Sequence, residues 1–227
     1  MRTAAEWLAY LQRERPAVAS HYGVLAQHPM LGGLATSAAR AYAAIAAALE
    51  GGGTLFLCGN GGSFADALHI SGELLKSFER PRPLPEPVAE ALGREPFGAE
   101  LIEHLQAGLR AHVLGANPAL SSAVANDIPL PGIGYAQELL ALAQPGDAFL
   151  GISTSGGARN VLLALSVARA LGLATIGLTG SARVKNPLAQ GVDVALVVPA
   201  RETAAVQEQH ITLYHILCQM VEAHFYP

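Results

Sequence analysis

Apolar positions along the first fifty residues recur near helical spacing, with Leu8, Leu11, Val18 and Leu25 forming one stripe. That pattern predicts two amphipathic helices over residues 3–28 and 34–50, separated by His28-Pro29 and Gly32-Gly33. The period then changes. Gly51-Gly52-Gly53 ends the second helix, and Thr54-Leu55-Phe56-Leu57-Cys58 is the short continuous run of a buried strand. A helix over 63–78 follows, with Ser63 and Asp66 spaced as a capping box that has Asp in place of Glu or Gln. From residue 79 to 98, Arg80, Pro81, Arg82, Pro83, Pro85 and Pro87 forbid a continuous helix or a central strand, so a surface excursion is expected.

Periodicity resumes in a helix near 99–109, a weak strand near Ala111–Gly115 and a helix near 118–125. Beyond Asn126-Asp127, a helix over 133–143 leads to a strand at Ala148–Ser153, and a helix over 157–171 leads to a strand at Ala174–Thr179. A short helix near 183–190, a strand at Asp193–Pro199 and a long helix over 203–224 complete the chain. Helices alternating with continuously apolar strands predict an α/β fold with a doubly wound parallel sheet covered on both faces.

Composition narrows the function classes. At 227 residues and 51% hydrophobic content the chain suits one domain with a sizeable core. A net charge of −4, with no Lys/Arg run, leaves no footprint for nucleic acid. No stretch approaches the roughly 18 apolar residues of a membrane span. The segment Met1–Trp7 reads as helix without the apolar core of a signal peptide. Two cysteines, Cys58 and Cys218, make no disulfide framework, so a soluble cytoplasmic protein is expected. Abundant alanine makes the helix faces small and apolar, which favours an oligomer.

The chemistry concentrates in two glycine- and serine-rich crossings, Cys58-Gly59-Asn60-Gly61-Gly62-Ser63 and Gly151-Ile152-Ser153-Thr154-Ser155-Gly156-Gly157. Each follows a strand and opens a helix, where free N–H groups and the helix dipole favour an anion such as phosphate. A dinucleotide fingerprint needs glycine where Phe64 stands, and a P-loop needs a lysine that both turns lack. Tight αβ packing and simple N-caps would also account for one such turn, but less readily for two. His69 and Glu73, four apart, share a helix face. Gln207 and His215, eight apart, lie within about 80° of one another on theirs. These four side chains could hold a divalent metal, zinc by preference, with Glu73 a base and His215 an acid or second base. On spacing alone a solvated pair and structural histidines are the commoner arrangement. His21, His28, His104, His112 and His224 carry no motif and read as surface or packing residues.

Gly59-Asn60-Gly61-Gly62-Ser63 with Asp66, His69 and Glu73 resembles the first motif of sugar isomerase (SIS) domains, in the phosphoheptose isomerase branch. Asn126-Asp127, the Ser153-Thr154-Ser155-Gly156 turn, and Gln207-Glu208 followed by His215 resemble its later motifs, in order. The resemblance runs from about residue 34 to the end, apart from the proline-rich stretch. It implies a single SIS domain over 1–227 with a five-stranded parallel sheet. It also implies N-terminal helices (1–50) used in oligomer packing and a homotetramer with sites at subunit boundaries. Asn60, Gly61, Gly62, Ser63, Asn126, Asp127 and Gln207 would bind substrate, and Ser153, Thr154 and Ser155 its phosphate. Glu73 and His215 would move protons, while His69, Glu73, Gln207 and His215 would hold one zinc per subunit. The implied reaction converts sedoheptulose 7-phosphate to D-glycero-D-manno-heptose 7-phosphate through an enediolate, in precursor synthesis for glycans such as lipopolysaccharide. The chain departs from the family pattern at Lys76-Ser77, at Gly157-Ala158 and in its longer 79–115 segment. Competing readings are a non-catalytic SIS module, which senses a sugar phosphate or organises an assembly as replication-initiation regulators do, and an enzyme cleaving lactyl ethers of phosphorylated amino sugars.

Overall fold

Five parallel strands make one sheet in the computed structural model, which describes residues 2–181 and 185–227. They are β1 (Leu55–Cys58), β2 (Ala111–Val113), β3 (Ala148–Ser153), β4 (Ala174–Gly180) and β5 (Val194–Val198), in spatial order β2-β1-β3-β4-β5. Leu55 aligns with Ala111 on one side and Ala148 on the other, and Ile176 joins Leu150 to Val194 across the far half. The helices are α1 (Ala4–Glu14), α2 (Pro16–Ala26), α3 (Ala35–Glu50), α4 (Gly62–Leu75), α5 (Glu86–Leu92), α6 (Gly98–His104), α7 (Pro118–Asp127), α8 (Gly134–Leu142), α9 (Arg159–Ala170), α10 (Pro187–Gly191) and α11 (Thr203–Phe225).

Strand side chains alternate between two apolar layers, as the pleat requires. Leu55, Leu57, Leu150, Ile152, Ile176 and Leu196 face one layer with residues of α1 to α4 and α11, including Trp7, Tyr22, Ile45, Ile70 and Leu217. Phe56, Cys58 and Phe149 face the other, with Leu139 of α8, Val161 of α9 and Leu188 of α10. Burial on both faces explains why the strands read as unbroken apolar runs. The two sides also explain the doubly wound topology. The strand order reverses between β1 and β3, and a crevice opens there at the carboxyl ends of the strands.

Four local expectations need correction. The single helix over 3–28 is two helices, α1 and α2, because Pro16 forces Arg15 out of helical geometry to φ −147° and ψ 64°. Ser63 and Asp66 form no capping box: the helix starts earlier, Gly61 is its N-cap, and no side-chain capping bond is made. The stretch 79–98 is not wholly irregular, since it contains α5 and leads into α6. Nor is it wholly superficial, since the Arg82 side chain is fully buried. The helix expected near 183–190 is α10, beginning at Pro187 behind the Asn186 side-chain cap; residues 183 and 184 lie outside the described residues.

Candidate active site

Both glycine-rich turns lie at the strand-order reversal, one after β1 and one after β3. They are tied together by a reciprocal amide pair. The Asn60 amide donates to Asn160 Oδ1 at 2.8 Å, and the Asn160 amide donates back to Asn60 Oδ1 at 2.7 Å. The Tyr135 hydroxyl braces the first turn from α8 by donating to the Gly59 carbonyl. Gly62 is required by a close approach. A Cβ there would fall 2.1 Å from Gln207 Nε2, so the start of α11 rests directly on the start of α4. In the second turn Ser153 is buried, Thr154 half-buried and Ser155 exposed. Gly156 adopts φ 69°, and a Cβ would collide with the Asn186 amide that bonds Thr179 and Gly180.

Two helices then bring the proton-transfer candidates together. His69 Nε2 stands 3.0 Å from Glu73 Oε1 within α4 and 3.5 Å from His215 Nε2 on α11. One ligand atom from each of the three residues lies within 4.8 Å of the others. Two imidazoles and a carboxylate converging at that distance fit a borderline divalent cation. Burial lowers the His215 pKa, and the nearby His69 adds to the effect, so the imidazole is held neutral at neutral pH. Gln207 sits against Gly62, about 12 Å along α11 from His215.

The remaining expected residues are placed less centrally. Asn126 and Asp127 end α7, exposed, with the Asn126 amide donating to Asp127 Oδ1 at 2.8 Å. Their neighbours Val124, Ala125 and Ile128 line a cavity of about 570 Å³ with Tyr135 and Asn160, which places the pair beside the first turn's brace.

Several supporting residues fall outside the sequence motifs. Arg82 donates from Nε to Glu222 Oε1 at 2.8 Å, and from its other nitrogens to the Leu74 and Glu73 carbonyls at 2.6 and 2.9 Å. Glu222 also accepts the Phe78 and Glu79 N–H groups at 2.8 and 2.9 Å. This pair closes the last turn of α4, where Glu73 resides. The sequence signal for it is a lone carboxylate in Leu217–Ala223, a stretch otherwise apolar but for Gln219. His210 is fully buried with neither ring nitrogen in a hydrogen bond, and burial pushes its pKa down to about 4. Asn160, Tyr135 and Tyr214 lack a sequence signal of their own, because polar groups at such positions are equally common on solvated faces.

Comparison with known proteins now decides the family. Residues 132–180 match the SIS domain family. A phosphoheptose isomerase from Thermodesulfovibrio yellowstonii is 39% identical over 178 residues, covering 78% of this chain and 75% of that protein. The chain belongs to the phosphoheptose isomerase family. A second member, from Roseiflexus sp., is 39% identical over 171 residues, with 75% and 73% of the two chains covered. The solved phosphoheptose isomerase of Francisella tularensis superposes with a TM-score of 0.67 at 26% identity, over 97% of this chain and 98% of that one. That from Neisseria gonorrhoeae gives 0.65 at 27% identity over 97% and 99%. The shared architecture is the five-stranded parallel sheet flanked by helices, as the alternating sequence pattern predicts.

Proposed function

We propose that this protein isomerises sedoheptulose 7-phosphate to D-glycero-D-manno-heptose 7-phosphate. The observation that carries the reading is the convergence of Glu73, His69 and His215 beside two anion-suited turns, in a chain of the phosphoheptose isomerase family. Ser153, Thr154 and Ser155 grip the phosphate with hydroxyls and turn N–H groups, which anchors the far end of the substrate. Asn60, Gly61, Gly62, Ser63, Asn126, Asp127 and Gln207 line the sugar. Glu73 removes the proton on C1 and returns it to C2, while His215, held neutral, carries the O1 hydroxyl proton to O2. His69, Glu73, Gln207 and His215 would hold one zinc per subunit, which supplies Lewis-acid stabilisation of the enediolate oxygen when bound.

The same convergence favours the enzyme over a sugar-phosphate-sensing or scaffolding module, which has no need for three proton-transfer and ligand groups within reach of each other. We further assign a homotetramer with N-terminal helices in subunit packing and sites at subunit boundaries. Its support is the exposure of Leu68 and Leu75, 46% and 52%, on α4, the helix that carries His69 and Glu73. No helix among the described residues is long and apolar enough to cross a membrane, and we assign the protein to the cytoplasm.

The test is an NMR assay with sedoheptulose 7-phosphate in heavy water, together with the mass in solution. Heptose product with deuterium beside the carbonyl is the expected result. Tight binding without exchange would replace the enzyme by the sensor, and a monomer would remove the boundary sites.

A further inference from the structure

The hydroxyl of Tyr214 lies 2.9 Å from His69 Nδ1, on the side of the ring opposite the cluster. His69 Nε2 is the atom that faces Glu73 and His215. Tyr214 is itself buried, at 2% exposure, and its ring stands edge-on to both imidazoles. Asp66 lies one turn before His69 on α4. Its Oδ2 is buried without a hydrogen-bond partner and lies 4.0 Å from the buried ring of His210.

A phenol has one proton to give and can accept another. With a cation at Nε2, the proton of a neutral His69 ring sits on Nδ1, and the Tyr214 oxygen 2.9 Å away is placed to accept it. Placing the proton on Nδ1 strips it from Nε2, whose lone pair then points into the gap between Glu73 and His215. A lone pair facing a carboxylate oxygen at 3.0 Å is repulsive unless a cation lies between them. In metal proteins a histidine ligand commonly donates its second nitrogen to a carboxylate or carbonyl, which fixes its tautomer and orientation. Here the Tyr214 hydroxyl oxygen stands in that acceptor's place.

We propose that Tyr214 is a positioning residue that, by accepting from Nδ1, sets the His69 tautomer and ring orientation so that Nε2 is presented as a cation ligand. The proposal rests on the reading of His69, Glu73 and His215 as a divalent-metal site.

Cobalt(II) titration of the metal-free full-length protein tests it, read by the visible absorption of bound cobalt and by competition with a chromophoric chelator. The wild type should bind one cobalt per chain, and His69→Gln should lose it. Tyr214→Phe, which keeps the ring and removes only the oxygen, should bind 10- to 100-fold more weakly with a shifted absorption band. Tyr42→Phe removes a different buried hydroxyl, the one bonded to His224 at 2.6 Å, and should bind as the wild type does. Equal affinity and an identical spectrum in Tyr214→Phe and wild type would overturn the role of Tyr214 while leaving the metal site in place. Equal weakening in the Tyr214 and Tyr42 variants would also overturn it, by showing a general packing effect. If the wild type binds no cobalt, both the metal reading and the Tyr214 role fall, and turnover of the metal-free protein then judges the isomerase separately.

Discussion

Replacing Glu222 by alanine should lower stability sharply, because the carboxylate sits at the centre of a closed polar network with no access to water. Glu222 is 1% exposed, and the Arg82 side chain facing it is 0% exposed. The substitution leaves a buried guanidinium without its counter-charge, and it removes the acceptor of the Phe78 and Glu79 amides. Removing one partner of a buried ion pair costs about 3–5 kcal/mol. For a chain of this size each kcal/mol moves the melting point by about 2–4 °C. The expected drop is therefore roughly 10 °C, with bounds of about 6 and 20 °C. Circular dichroism melts at neutral pH and one protein concentration measure it. Glu222→Gln should fall between the two, since an amide oxygen still accepts from one backbone N–H but carries no charge. The double replacement Arg82→Met with Glu222→Leu should recover about half the loss. It removes both charges but strands the Glu73 and Leu74 carbonyls and the Phe78 and Glu79 N–H groups. A melting point for Glu222→Ala within 3 °C of the wild type would refute the reasoning. The pair would then be solvated in solution, and the last turn of α4 would owe its position to something else.

Glu73→Gln should lower kcat for isomerisation by about 10²–10⁴-fold with the oligomer unchanged, checked by the heavy-water assay and light scattering; near-normal turnover would remove Glu73 from the mechanism. His210 gives a pH dependence whose sign is fixed. Its folded pKa of about 4 lies below the unfolded value of 6.5, so the unfolded chain takes up the proton first. Its contribution is complete above pH 6.5 and is lost progressively as pH falls toward 4, about 3 kcal/mol in all. Urea unfolding of wild type and His210→Gln at several pH values should show a shallower acid slope in the variant, and equal slopes would mean that His210 is solvated. Thr154→Ala with Ser155→Ala should raise KM for the sugar phosphate at least tenfold and leave the melting point within a few degrees, since neither side chain is fully buried. An unchanged KM would place the phosphate elsewhere.

The sequence alone determined the alternation of helix and strand, the parallel sheet and the two polar turns, because these follow from local periodicity and backbone chemistry. β3 spans the expected Ala148–Ser153, and the other strands differ from expectation by two residues or fewer at either end. The spacing of His69 and Glu73 likewise fixed that they share a face, since four residues make about one turn. It could not say what that face meets. Only the tertiary structure decided that α4 lies against α11, so that His215, 146 positions away, reaches His69. It also decided that Asn60 and Asn160 bond across the strand-order reversal, and that the Arg82 guanidinium is buried against Glu222. In sequence Arg82 stands among prolines and charges and reads as surface. The physical reason is common to all three. Periodicity is a property of neighbours along the chain, whereas the partner and burial of a polar side chain depend on which faces pack once the sheet is covered.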